Sequence, residues 1–194
     1  TAAWDVDVAV VHQKMAGEMV KAGLLAPYTK DIASGKLTTS ATSKNALGQN
    51  VEGFVIPMFQ SQTAIAYNPS LVQAPPKTFA DLEAYAKANP KKFGYNGIKG
   101  GMSGVAFVVG WVYANAPNGE KLFTGPYEAS VEAGWDPAFA KLKEFNKNVT
   151  VTPGNAGTLD MLNRGEITMG PVWVDMFYTW MADGKLPPTM KLSL

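Results

Sequence analysis

The sequence predicts an α/β fold, and three observations carry that prediction. Short apolar or alternating runs bounded by turn residues recur along the chain, as in "DVDVAVV", "TAIAYN" and "EITMGPV", and read as strands. Between them lie segments with helical apolar spacing, as in "TFADLEAYAKANP" and "AFAKLKEFNKN". The two kinds alternate, which is the pattern of a sheet flanked by helices.

In chain order, Asp5 to Val11 alternates and then turns apolar, predicting a strand. Helix is predicted for "HQKMAGEMVKAG": Met15 and Met19 share a face, Ala16 and Val20 lie beside them, and Gly23 stands as a stop. The stretch around residues 30–50 is rich in Ser, Thr and Asn and reads mostly as loop; taken alone, it is the best place for a boundary. "VEGFVIPM" and "TAIAYN" read as two strands broken by Phe59, Gln60, Ser61 and Gln62, and Pro57 makes the first an edge or crossing segment. Thr78 caps a helix in which Phe79, Leu82 and Tyr85 recur at helical spacing; Asp81 resembles a capping-box acid and Pro90 ends the run.

"GIKGGMSG" reads as a glycine-rich turn, and "VAFVVGWVYANA", apolar on all sides, as a buried helix by its length. "APNGEKLFTGP" reads as loop. Asp136 and Pro137 form an N-cap and first-residue pair for the next helix. Thr158 is expected to cap "LDMLNRG", with Gly165 as its stop. A short buried strand and a helix with Asp175 near its start and Gly184 past its end follow.

Bulk properties narrow the function. A chain of 194 residues suits one large domain or two small ones. With 46% apolar and 17% charged residues, it is a folded chain with a rather uncharged surface. The net charge is +1 and the densest basic cluster is only Lys91-Lys92, so no nucleic-acid partner is expected. The absence of Cys excludes disulfides and thiolate chemistry, and fits both periplasm and cytoplasm. The longest apolar run, Val105 to Val112, falls short of the roughly 18 residues of a membrane span. Thr1-Ala2-Ala3-Trp4 has no signal-peptide pattern, and "MKLSL" ends in a strand-like run; the ends read as those of a processed chain or a piece of a longer one.

Recognisable catalytic machinery is missing. One His and no Cys cannot make a typical zinc site, so no metal or other cofactor is expected. No G-x-S-x-G elbow, P-loop or G-x-G-x-x-G follows a strand; "GGMSG" comes near an elbow but has the wrong spacing. The polar residues that stand out do so by position. Trp173 and Asp175 lie where a strand gives way to a helix. They offer an aromatic face and a hydrogen-bond acceptor to a ligand, or else a core indole and a helix cap. Met102, Ser103 and Gly104 form a glycine-flanked loop or an ordinary turn. Phe59, Gln60 and Ser61 line a cleft or make a crossover, and His12 and Gln13 follow a strand in the same manner as Trp173, with a structural His12 as the other reading.

Four stretches resemble the bacterial extracellular solute-binding proteins (family 1) of ABC importers. "DVDVAVVHQKMAGEMVKAGLLAPY" is similar to the strand, helix and turn of that family's first lobe. "GFVIPMFQSQTAIAYNPSLVQAPPKTFADL" is similar to its crossing strand and following helix start, and is the most specific of the four. "NAGTLDMLNRGEITMGPVW" and "GKLPPTMKLSL" resemble a helix-plus-strand of the second lobe and the return to the first.

The resemblance implies a type II periplasmic-binding-protein-like fold: a mixed sheet flanked by helices, with two lobes in the intact protein. Residues 1–57 would be part of the first lobe with the crossing segment, 58–188 the second lobe, and 189–194 the start of the return. It implies a non-enzymatic subunit, periplasmic or extracellular and attached to the cell envelope. Such a subunit binds a small polar solute between its lobes, as a monomer, and delivers it to a membrane permease. The lobes would close about Pro57 and Pro187-Pro188. The ligand contacts implied are His12, Gln13, Phe59, Gln60, Ser61, Met102, Ser103, Gly104, Trp173 and Asp175, with a sugar, polyol or polyamine as ligand. A two-lobed enzyme of glycosidase or transferase type is the alternative.

Overall fold

The computed structural model describes residues 5–117, 119 and 128–193. The chain divides into two compact units, residues 1–60 and 61–194.

In the first unit, helix α1 (Gln13–Lys21) is followed by three short 3-10 turns and a two-residue hairpin, β1 (Asn45–Ala46) with β2 (Gln49–Asn50). The small core is Ala16, Ala46 and Val51, with Val11, Val20 and Val55 packed against it. The buried face of α1 is therefore Ala16 and Gly17, while Met15 is exposed. The polar stretch predicted as loop lies inside this unit as the 3-10 turns and the hairpin.

Two predicted strands do not form here. Asp5 to Val11 has no regular structure, and Val8 is 86% exposed. An alternating sequence becomes a strand only when a neighbour satisfies its backbone N–H and C=O groups, and no described residue pairs with this segment. "VEGFVIPM" is a turn and an extended segment instead; Gly53 at φ 87° turns the chain where a ladder would have to run.

The second unit is built on a five-stranded mixed sheet. Its strands are β3 (Thr63–Tyr67), β4 (Phe93–Tyr95), β5 (Val149–Val151), β6 (Met169–Trp173) and β7 (Lys191–Ser193), in the order β5-β4-β6-β3-β7. β4 runs parallel to β5 and β6, while β3 is antiparallel to β6 and β7. Its helices are α2 (Phe79–Ala88), the one-turn α3 (Gly97–Gly100), α4 (Met102–Asn115), α5 (Asp136–Asn146), α6 (Gly154–Asn163) and α7 (Val174–Ala182). The predicted loop of residues 116–126 falls mostly outside the described residues.

Local chemistry explains the boundaries. Thr78 and Asp81 make a full capping box at the start of α2. Gly165 and Gly184, both at φ 70°, end α6 and α7 in the left-handed conformation that glycine adopts without strain. Three expectations shift. α4 begins at Met102, so Met102, Ser103 and Gly104 are its first turn and not a loop. The N-cap of α5 is Trp135, one residue before Asp136. Thr158 lies inside α6, buried, with its hydroxyl bonded to Thr152 and to the Gly154 carbonyl; it is not a cap. A back-bonding threonine is as well served by the turn before it as by an N-terminus.

Because side chains alternate along a strand, each face of the sheet has its own core. On one face, Phe93, Tyr95 and Met169 pack with Phe107 and Trp111 of α4, Phe145 of α5 and Leu82 of α2. Ring centroids there stand 4.7 Å apart for Tyr95–Phe107 and 4.8 Å for Trp111–Phe145. Burying one such ring contributes roughly 1.5–3 kcal/mol. On the other face, Ala66 and Val172 pack with Leu159 and Leu162 of α6 and Phe177 of α7.

Candidate functional site

The winding of the sheet marks one edge. β4 leads through α4 and α5, on the aromatic face, to its neighbour β5. β6 leads through α7, on the opposite face, towards β7. Neighbouring strands whose connections leave to opposite faces define a switch point, and ligands of open α/β sheets lie at the carboxyl ends of such strands. The ladder between β4 and β6 is a single registered pair, Phe93 with Met169. Pro171, two residues on, has no N–H with which to extend it.

Two polar clusters occupy this edge. The first stands at the end of β6. Trp173 is the last residue of the strand, pairs with Thr63 and is only partly buried. It is also the N-cap of α7, which has no side-chain cap. Asp175 therefore does not cap the helix; it is exposed, and its Oδ1 accepts a short hydrogen bond from the Ser61 hydroxyl. The Val174 N–H donates to the Gln62 carbonyl at 3.0 Å, fixing the same two segments a second time. Three residues singled out in the sequence, Ser61, Trp173 and Asp175, are thus brought together across 114 positions.

The second cluster stands at the ends of β4 and β5. Asn96 follows β4 and is 3% exposed; Ser103, in the first turn of α4, is 0% exposed. Asn96 Nδ2 and Ser103 Oγ both donate to Asn155 Oδ1, each at 2.8 Å. Two glycines leave room for this network. A Cβ on Gly101 would stand 2.6 Å from Asn155 Oδ1, and one on Gly104 would stand 2.3 Å from Asn96 Oδ1. The glycines of "GGMSG" admit side chains of the protein itself.

Sequence reading singled out neither Asn96 nor Asn155. β4 and β5, three residues each, are too short for their alternation to show, so the polar turns after them carried no positional signal. The available signal was "YNG" and "PGNAG", turn-forming residues at a helix start.

The remaining expected contacts belong to the first unit. His12 is the N-cap of α1, where its Nδ1 accepts from the Lys14 N–H at 3.2 Å, and Gln13 is the exposed first residue of that helix. Phe59 and Gln60 are exposed at the unit's end.

Other polar features belong to neither cluster. A depression of about 150 Å³ between α2 and α5 holds Glu83, Lys87, Lys141 and Glu144, and Lys141 is neutralised by Glu83 at 2.8 Å. A second, of about 410 Å³, lies among the 3-10 turns of the first unit, lined by Thr29, Lys30, Thr38 and Ser43 among others. Burial pushes the Tyr95 phenol up, countered in part by its hydrogen bond to Asn146. Among the described residues, no group of three or more acids or histidines could hold a metal, and no helix is long and apolar enough to cross a membrane.

A doubly wound mixed sheet with helices on both faces and polar side chains gathered at its carboxyl edge is the type II periplasmic-binding-protein fold. The chain belongs to the family described as bacterial extracellular solute-binding protein, whose model matches residues 1–192. Membership places it in the periplasm or outside the cell.

Solved structures agree in fold. The spermidine/putrescine ABC transporter substrate-binding protein PotD of Streptococcus pneumoniae is 14% identical, with a TM-score of 0.66 over 93% of this chain and 50% of that one. The Atu4243-GABA receptor is 22% identical, with a TM-score of 0.65 over 94% and 50%. The maltose-maltodextrin binding protein of Alicyclobacillus acidocaldarius is 19% identical, with a TM-score of 0.54 over 91% and 47%. The chain spans about half the length of these structures. No curated protein matches the sequence.

Proposed function

We propose that the chain is the solute-capturing part of an ABC importer's binding protein, which takes up a small polar solute and passes it to a membrane permease. One observation supports this most: an exposed carboxylate, oriented by Ser61, stands two residues from a partly buried indole at the carboxyl edge of the sheet. An indole face stacks on a sugar ring or attracts a cation. A carboxylate oxygen accepts from hydroxyl or ammonium groups. The ligand class is therefore a sugar or polyol, or a polyamine. Relatives by fold named for spermidine/putrescine, GABA and maltodextrin span the same chemistry. Residues 58–188 would act as the second lobe.

A thermal-shift panel of sugars, polyols, polyamines and amino acids on the intact protein tests this. A specific solute at a hundred times its dissociation constant is expected to stabilise by about 2.7 kcal/mol. Turnover of a substrate, with no solute giving a shift, would replace the binding reading with an enzymatic one.

A further inference from the structure

We infer that Asn155 is a ligand-contacting residue, its amide nitrogen preset to donate to an oxygen of the solute, with Asn96 and Ser103 as its positioning residues. This rests on the solute-binding reading above and adds the polarity of the ligand's second contact.

The argument is one of counting. An Asn amide offers two acceptor sites on its oxygen and two donors on its nitrogen. Asn155 Oδ1 takes two donors at 2.8 Å, both from side chains sealed inside the unit. Its acceptor capacity is full, and the planar amide is held by its oxygen. With the Asn96 amide nitrogen facing it, the Asn155 oxygen is the end that can accept, and the nitrogen is the end left over. Asn155 Nδ2 has no partner among the described residues, and the residue is only partly buried.

Two buried side chains and Gly101, which no larger residue could replace, are thus arranged around one amide whose donors are left over. A preorganised donor loses little rotamer freedom on binding. Asn155 follows β5, on the carboxyl edge that also carries Asp175 after β6. Asp175 accepts and Asn155 donates. The solute that suits both carries a donor group and an oxygen acceptor, as an amino acid or a sugar does and a diamine does not.

The test is titration calorimetry of the intact protein with 4-aminobutyrate, maltose and putrescine. Only the first two bear oxygen. Asn155→Asp keeps the oxygen that Asn96 and Ser103 hold and replaces the donor with a second acceptor. An acid in the first turn of a helix is favourable, so the variant is expected to melt no lower than the parent. The oxygen-bearing probe that binds the parent is expected to lose at least about tenfold in affinity, while putrescine is not weakened. Asn155→Ala is the second variant, expected to show the same bias between probes whatever its melting temperature. Equal affinities in parent and variants, or a loss uniform across all three probes, would overturn the assignment. So would a parent that binds neither oxygen-bearing probe. If that parent still binds putrescine, the solute-binding reading stands and only this inference falls.

Discussion

The two polar clusters at the carboxyl edge are made of similar residues and do different work. Asn96 and Ser103 are sealed from solvent where they hold the oxygen of the partly buried Asn155, whereas Ser61 and Asp175 meet in the open. The first turn of α4 makes the difference: it carries Ser103, buried against Asn96 and Asn155, while Asp175 after β6 is left exposed beside Trp173. A sealed hydrogen bond is costly to break because the orphaned partner cannot turn to water. An open one is cheap to break and free to be exchanged for a ligand. The sealed pair, Asn96 and Ser103, should govern rigidity, and the groups nearer solvent, Asp175 and the Asn155 amide nitrogen, affinity.

The largest expected effect is on the open side. Asp175→Ala should weaken binding of whichever solute the thermal-shift panel identifies by roughly tenfold to a hundredfold, the scale of a hydrogen bond to a charged group. Calorimetry and a melting curve on the same variant check this; a fall in melting temperature with affinity unchanged would erase the distinction between the clusters. On the sealed side, Asn96→Ala leaves Asn155 and Ser103 short of a partner in a closed space. It should cost about 1–3 kcal/mol in urea denaturation. A cost near zero would mean that water reaches the network and that Asn155 is not held.

A smaller effect calibrates both. Thr78→Ala removes the cap of α2 and should cost about 1 kcal/mol in the same denaturation experiment, with solute affinity untouched. The capping box also sets the smallest effect, a pH dependence. Hydrogen bonding from Thr78 and then from the Lys77 N–H holds the Asp81 carboxyl below its ordinary value. A depressed acid contributes its stability in full above the unfolded-state value, near 3.9, and loses it as pH falls through the folded-state value. The parent should therefore lose slightly more stability than Asp81→Asn between pH 5 and 3. Parallel acid titrations of the two proteins would refute this.

Much of the second unit was legible. Thr78 with Asp81, the stops at Gly165 and Gly184, and the strands at Thr63–Tyr67 and Met169–Trp173 are local statements, and the structure carries each of them. The first unit was less so. Val6, Val8 and Val10 alternate as a strand should, yet they lie exposed and unpaired. Of the site, Trp173, Asp175 and Ser61 could be singled out by type and position. Their meeting across 114 residues could not, nor could the part played by Asn155.

The sequence by itself determined the α/β class, the Thr78 capping box and the glycine stops, and which side chains are chemically able to receive a polar solute. These follow from the period of apolar residues and from the backbone preferences of Gly, Pro, Thr and Asp, which act over a few residues. Only the tertiary structure decided that Ser103 is sealed, that Asp175 is tied to Ser61 and does not cap its helix, and that the glycines of "GGMSG" make room for Asn96 and Asn155. Burial and hydrogen-bond partnership are properties of whatever packs on top. Along this chain the covering element lies tens of residues away from most of what it covers.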